Sequence, residues 1–275
     1  MVMKSYGLIG YPLGHSFSKK YFTERFAQAG ADDCIYENFD LAHIDDFKTI
    51  LTQYPNICGL NVTIPYKETI IPYLDELSNK AQKIGAVNVI RFKNGKLKGY
   101  NSDAYGFKKS LKPLLESHHK KALILGTGGA AKAIAYALQE LDIPYAFASR
   151  KSDSNTIAYQ HINATTFDNF QIFINCTPLG TAPNIKDCPD IPYEYFTEKH
   201  LAYDLIYNPE ETLFLKKAKK KGAKTKNGWQ MLIFQAEKAW RIWKLRRSGR
   251  IRRPVLTLWV TCRSRIQSAG ARHPH

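Results

Sequence analysis

Two hydrophobic rhythms divide the chain. Ser5-Tyr6-Gly7-Leu8-Ile9-Gly10 is a short, mostly apolar run closed by Gly10 and Pro12, which predicts a first strand. Tyr21, Phe22, Phe26 and Ala29 then recur at helical spacing, with Gly30 as the stop. Cys34–Phe39 reads as a second strand, and His43–Gln53 as a helix with Ile44, Phe47, Ile50 and Leu51 inward. Ile57–Val62 is a third strand, ended by Pro65, and helical patterns follow at Lys67–Ile71 and Leu74–Ile84. Gly85–Phe92 runs into Asn94-Gly95, a two-residue hairpin signal, and Lys96–Asn101 is the return strand. A helix is predicted over Ala104–Leu115.

The second half repeats the alternation. Lys121–Leu125 is a buried-strand run, and Gly126-Thr127-Gly128-Gly129-Ala130-Ala131 opens a helix reaching about Leu141. Strands follow at Tyr145–Ala148, Gln171–Asn175 and Leu201–Tyr207. Thr212–Lys221 is helical and capped by Gly222, and a last helix runs from Gly228 to about Trp243. Strands alternating with helices predict an α/β protein whose mostly parallel sheets are covered on both faces.

Composition narrows the class. Of 275 residues, 44% are hydrophobic and 23% charged, as in a globular protein, and that length accommodates two domains. No run of eighteen apolar residues occurs, so no membrane span is expected. Met1–Ser5 leads almost directly into a strand, without a signal-peptide core. Cys34, Cys58, Cys176 and Cys188 form no close pair, which predicts reduced thiols in a cytoplasm and no metal site. The net charge of +16 is uneven: residues 244–275 hold one Lys and eight Arg with no Asp or Glu, which leaves +7 for residues 1–243. The body uses 27 Lys and 4 Arg, a preference that the tail inverts. The tail is therefore set apart as non-native or disordered; the rival reading is a basic arm that binds nucleic acid.

The chemistry-bearing residues gather at strand ends, where ligands collect in open α/β sheets. Asn61, Thr63 and Lys67 place an amide, a hydroxyl and a primary amine just past the third strand, although Lys67 could be a solvated lysine and Thr63 a helix cap. Ser16 and Ser18 enter a helix, where free amides suit a carboxylate; the plainer reading is that Ser18 caps it. Asp103 begins a helix and could be only an N-terminal charge. Strand, glycine turn and helix in that order are the context of a dinucleotide site: Gly126 permits the turn, Gly128 lets backbone approach a pyrophosphate, and Ala131 allows close packing. After the next strand stand Ser149-Arg150-Lys151, where an NAD enzyme places an acid; basic residues suit the 2′-phosphate of NADP, and the alternative is a solvated turn. Gln235 lies in an otherwise apolar helix, where an amide needs a partner or a ligand.

Together Gly10-Tyr11-Pro12…His15-Ser16-Phe17-Ser18, Asn61-Val62-Thr63-Ile64-Pro65-Tyr66-Lys67, Gly85-Ala86-Val87-Asn88, Asn101-Ser102-Asp103, Gly126–Ala131, Tyr203–Tyr207 and Met231-Leu232…Gln235 resemble the shikimate dehydrogenase family over nearly all of residues 5–243. The resemblance implies two open α/β domains across a cleft: a substrate domain of residues 1–102 plus 226–243, and a Rossmann-type NADP domain of 103–225. It implies Lys67 and Asp103 as the catalytic pair, and Ser16, Ser18, Asn61, Thr63, Asn88, Asp103, Tyr207 and Gln235 as substrate ligands. Gly126, Thr127, Gly128, Gly129, Ala130, Ser149, Arg150, Lys151, Leu205 and Gly228 would hold NADP. The implied reaction is NADPH-dependent reduction of 3-dehydroshikimate to shikimate, in the cytoplasm, by a monomer or homodimer that binds neither membrane nor nucleic acid. A quinate/shikimate dehydrogenase of wider tolerance is the alternative. Three positions depart from the family pattern: Lys19 stands where Pro is frequent, and Ser149 and Lys151 where Asn and Thr are common.

Overall fold

The computed structural model describes residues 3–14, 17–151 and 156–244. The expectations for Ser16 and for the 244–275 tail, apart from Lys244, lie outside them. The described chain holds twelve strands and eight α-helices. In the first part these are β1 (Lys4–Gly10), α1 (Phe17–Gln28), β2 (Cys34–Asp40), α2 (Phe47–Gln53), β3 (Ile57–Val62), β4 (Glu76–Leu77), α3 (Asn79–Ile84), β5 (Val89–Lys93), β6 (Lys96–Tyr100) and α4 (Asp103–Leu111). The second part has β7 (Ala122–Leu125), α5 (Gly129–Gln139), β8 (Tyr145–Ser149), β9 (Thr156–Ala158), α6 (Ala164–Asn169), β10 (Ile172–Asn175), β11 (Leu201–Asp204), α7 (Leu213–Lys220), β12 (Lys224–Lys226) and α8 (Trp229–Lys244).

The strands form two six-stranded sheets. The first has the order β2-β1-β3-β5-β6-β4; β1 runs parallel to both β2 and β3, whereas β5 is antiparallel to β3 and β6. The mostly parallel expectation thus holds for its first half; the hairpin makes the antiparallel pairings, and β4 pairs in parallel with β6 at the edge. Asn94 and Gly95 both take positive φ (53° and 74°), as a tight primed turn between β5 and β6 requires. The second sheet, β12-β11-β10-β7-β8-β9, pairs in parallel throughout. Its central strands are apolar and fully buried, because helices cover both faces.

One apolar cluster joins α3, α4 and α8 to the second sheet and its helix α5. Ile84 and Ala86 pack with Ala104, Phe107 and Leu111 of α4, Ala131 and Ile134 of α5, and Met231 of α8. A second aromatic group, including Tyr6, Phe22, Phe26, Trp240 and Trp243, fastens α1 and α8 to the first sheet. The last helix therefore returns to the first sheet, and the compact unit closes at Trp243.

Six predicted elements differ. In Gly85–Phe92 the left-handed Gly85 ends α3 and the strand starts only at Val89, and in His43–Gln53 a 3-10 turn at Ile44–Asp46 precedes α2. Lys67–Ile70 forms turns, not a helix, and a 3-10 turn follows at Ile71–Tyr73, with Pro72 inside it. Leu74–Ile84 is split: Glu76 and Leu77 pair with β6, and the helix starts only at Asn79, where the Ser78 side chain accepts the Ala81 N–H. The helix begun at Asp103 is α-helical only to Leu111, with a 3-10 turn around Pro113. The strand from Leu201 stops at Asp204, whose carboxylate takes the Ile206 N–H and turns the chain. Three short elements had escaped the periodicity: β9, β12 and α6, the last held by a capping box between Asn163 and Thr166.

Candidate active site

The site grows from the carboxyl end of β3. The Val62 N–H donates to the Asn88 carbonyl (3.0 Å), and the Val87 N–H donates to the Lys67 carbonyl (2.7 Å). These bonds bind the turn after β3 to the segment before β5, so Lys67 has a fixed origin although it lies in no regular element. Its Nζ donates to Asp103 Oδ2 at 2.7 Å, with side-chain exposures of 17% for Lys67 and 8% for Asp103. Lys67 is thus no solvated surface lysine.

Asp103 opens α4, and its other oxygen is held as well. Asn88 Nδ2 donates to Asp103 Oδ1 (2.8 Å), to Ser102 Oγ (2.9 Å) and to Gln235 Oε1 (3.4 Å). Ser102, fully buried, donates its backbone N–H to Asn88 Oδ1 (2.6 Å) and its hydroxyl to Gln235 Oε1 (3.2 Å). Gln235 of α8 therefore meets Asn88 and Ser102, and through Asn88 it reaches the Lys67–Asp103 pair. Asn61, also buried, donates to the Asn88 carbonyl (3.3 Å) and accepts from the Tyr36 hydroxyl (2.8 Å). Burial drives the pKa of that phenol well above the usual tyrosine range, and the nearby Ser18 side chain opposes the shift. Asn61, Asn88, Asp103, Lys67 and Gln235 thus form one connected polar system, with Ser18 near its Tyr36 end.

Thr63 and Tyr207 make other contacts. The Thr63 N–H donates to the Ile9 carbonyl (2.9 Å). Tyr207 packs on Phe17 and Trp229, and burial raises its pKa. Ser102 and Tyr36 are the members that sequence reasoning did not name. Ser102 had a signal, since it lies inside the Asn101-Ser102-Asp103 motif; Tyr36 had none beyond its inward register in β2.

The glycine turn faces the same place. Gly126 takes φ +105°, a conformation that side chains disfavour. Thr127 and Gly128 are exposed, and a Cβ on Gly128 would meet nothing within 4 Å, so open space lies over this backbone at the entry to α5. A Cβ on Gly129 would stand 3.1 Å from Lys67 Cβ, which brings the turn against the catalytic candidate. Ala130 follows, half-buried. At the carboxyl end of β8, Arg150 and Lys151 are exposed, while Ser149 Oγ donates to the Lys151 carbonyl (2.6 Å) and shapes the turn. Leu205 and Gly228 meet directly: a Cβ on Gly228 would fall 1.9 Å from the Leu205 carbonyl oxygen, so only glycine fits. An open cradle of backbone, with exposed guanidinium and ammonium groups beyond the adjacent strand, fits a dinucleotide carrying an extra phosphate. Among the described residues, no cluster of His, Cys, Asp or Glu is placed to hold a metal, and no helix is long and apolar enough to cross a membrane.

Fold and site together define an α/β protein of the Rossmann-type, dinucleotide-binding class. Residues 8–90 match the model of the shikimate dehydrogenase substrate binding domain. The chain is similar to shikimate dehydrogenase (NADP(+)) of Methanosphaera stadtmanae, with 39% identity over 255 residues, 86% of this chain and 89% of that one. Among solved structures, it resembles shikimate dehydrogenase of Aquifex aeolicus (TM-score 0.79, 34% identity, 88% of this chain and 92% of that one). It likewise resembles the Thermus thermophilus enzyme in complex with NADP(H) and shikimate (TM-score 0.76, 30% identity, 88% and 94%). The chain belongs to the shikimate dehydrogenase family.

Proposed function

We propose that this chain catalyses the reversible, NADPH-dependent reduction of 3-dehydroshikimate to shikimate in aromatic amino acid biosynthesis. The observation that carries the reading is the Lys67–Asp103 pair, shielded from water, joined to a ring of amides and hydroxyls, and touched by the glycine turn. Reduction of a ketone needs a proton at the developing alkoxide. Lys67 supplies it and, in the oxidative direction, takes it back. Asp103 orients the amine through its 2.7 Å bond, and Asn88 holds that carboxylate in turn.

Ser16 and Ser18 would receive the substrate carboxylate, and Asn61, Thr63, Asn88, Tyr207 and Gln235 the carboxylate or ring hydroxyls. In this reading residues 1–102 and 226–243 make the substrate domain and residues 103–225 the NADP domain. Gly126, Thr127, Gly128, Gly129 and Ala130 would cradle the pyrophosphate, Arg150, with Ser149 and Lys151, the 2′-phosphate, and Leu205 and Gly228 would complete the cofactor site. When bound, NADPH supplies the hydride. The enzyme would work in the cytoplasm as a monomer or homodimer.

The test is NADPH oxidation by the purified chain with 3-dehydroshikimate, repeated with 3-dehydroquinate and with NADH. Turnover confined to NADPH and 3-dehydroshikimate is the expected result. Absence of turnover would overturn the reading, and equal rates with 3-dehydroquinate would move it to the broader quinate/shikimate class.

A further inference from the structure

Asp204 ends β11 with no exposed surface, and three uncharged donors surround its carboxylate. Asn175 Nδ2 (3.1 Å) and the Ile206 N–H (3.0 Å) donate to Oδ1, and the Thr212 hydroxyl donates to Oδ2 (2.6 Å). Each donor belongs to a different segment. Asn175, equally buried, ends β10 and accepts both the Thr177 N–H (3.0 Å) and the Thr177 hydroxyl (2.7 Å). The Thr177 methyl group lies 3.2 Å from where a Cβ on Gly126 would stand, so this loop underlies the glycine turn. Ile206 adjoins Leu205, whose carbonyl presses on Gly228, and the Gly228 N–H returns to the Ile206 carbonyl (2.9 Å). Thr212 caps α7 by accepting the Leu215 N–H (3.3 Å).

We propose that Asp204 is a positioning residue of the cofactor cleft, setting the Thr177, Leu205–Ile206 and Thr212 segments as one unit beneath the dinucleotide. The inference rests on the dinucleotide reading above. Both carboxylate oxygens are used as acceptors, and an amide offers only one, so Asn cannot reproduce the arrangement without reversing a bond at Thr212. The group is also an expensive choice for stability alone. Burial raises its pKa to about 6 against the three hydrogen bonds that lower it. The titratable groups that feel its charge are Cys176, Tyr193 and Tyr203, whose own pKa values burial raises. A carboxylate kept in such surroundings, at the meeting point of three cleft segments, holds geometry that an apolar residue would not.

The experiment titrates NADP+ and shikimate separately against the whole wild-type chain and Asp204→Asn between pH 5 and 8. Because a phosphate monoester also titrates near pH 6, NAD+ is titrated in parallel. At pH 8 the variant should bind NADP+ about three- to tenfold more weakly, the worth of one hydrogen bond, with shikimate affinity unchanged. Wild-type affinity for NAD+ should fall as pH drops through about 6, and that of the variant should not. In turnover, the variant should raise the cofactor KM and keep kcat. Identical pH curves for the two proteins, or equal losses for both ligands, would overturn the proposal. If that variant does not fold, Thr212→Val, which removes the donor to Oδ2, is titrated in its place, and an NADP+ affinity equal to that of the wild type overturns the proposal. Failure of the wild type to bind any dinucleotide would instead overturn the reading of the cleft, and this proposal with it.

Discussion

Replacing Lys67 by Ala separates chemistry from architecture. The side chain supplies one charged partner to Asp103 at 2.7 Å, inside a site where Asp103 exposes 8% of its side chain. If Lys67 moves the proton, turnover should fall by about two to four orders of magnitude, or roughly 3–5 kcal/mol of barrier. The same change strands a carboxylate that retains the Asn88 amide at 2.8 Å but no cation. Breaking a buried pair costs about 3–5 kcal/mol, and the partial exposure of Lys67 places this case near 3. For a domain pair of this size that is a Tm lower by roughly 6–12 °C. The double variant Lys67→Ala, Asp103→Asn removes the stranded charge, so it should regain much of the lost Tm while turnover stays low. The assay is NADPH oxidation at saturating 3-dehydroshikimate, with thermal unfolding followed in parallel. If turnover recovered together with Tm, Lys67 would be a structural partner and the acid–base assignment would be wrong. Near-normal kcat with lost affinity would equally refute it.

Arg150→Ala should raise the KM for NADPH about ten- to a hundredfold and leave that for NADH nearly unchanged, since only the former carries the 2′-phosphate; steady-state kinetics with both cofactors checks this. Gly228→Ala would drive a methyl group to within 1.9 Å of the Leu205 carbonyl, so backbone must move, and cofactor affinity should fall more than shikimate affinity in parallel titrations. Asp204 gives a pH signature in stability. Its folded pKa is raised from 3.8 to about 6, so the folded form holds the proton more tightly. Its contribution is present in full below about pH 4 and is lost as pH rises through about 6, a change of about 3 kcal/mol. Urea unfolding from pH 4 to 8 should show this difference between wild type and Asp204→Asn, and parallel curves would contradict it.

What the sequence disclosed was local. The strand, glycine turn and helix at Lys121–Leu141 are consecutive, and so is the Asn94-Gly95 turn; both appear with the positive φ values that their glycines imply. Lys67 could be singled out by its place past a strand end, Asp103 by opening a helix, Gln235 as an amide in an apolar stretch, and Asn88 through the Gly85-Ala86-Val87-Asn88 motif. Their partnership could not, because Asn88 and Gln235 stand 147 positions apart and Tyr36 and Asn61 stand 25 apart. The Leu74–Ile84 stretch misleads for a related reason. Its apolar spacing suits a helix, but Leu77 gains more by pairing with β6, and the decision is made by a strand that comes later in the chain. Asp204 read as part of a strand, and only its donors, from Ile206 two residues on to Asn175 twenty-nine residues back, reveal that it ends one.

The distance between the amine and the glycine turn is set by packing, not by the ion pairs that bridge the two halves. Lys132–Glu68 and Lys80–Glu140 join α5 and the residue after it to the first sheet's elements, yet each has a lysine more than two-fifths exposed. Such pairs are worth about 0–1 kcal/mol and weaken with salt. Beneath them Ile84 and Ala86, from the first half, share one core with Ala131 and Ile134 of α5. At the centre, the spacing of Gly129 from Lys67 and from Ala86 leaves no room for a further carbon without a shift of a few tenths of an ångström. Interiors at this density transmit displacement instead of absorbing it. The wall that carries Lys67 and the wall that presents the turn are therefore one apolar contact, and the proton donor keeps its place relative to the cofactor cradle when surface charge is screened.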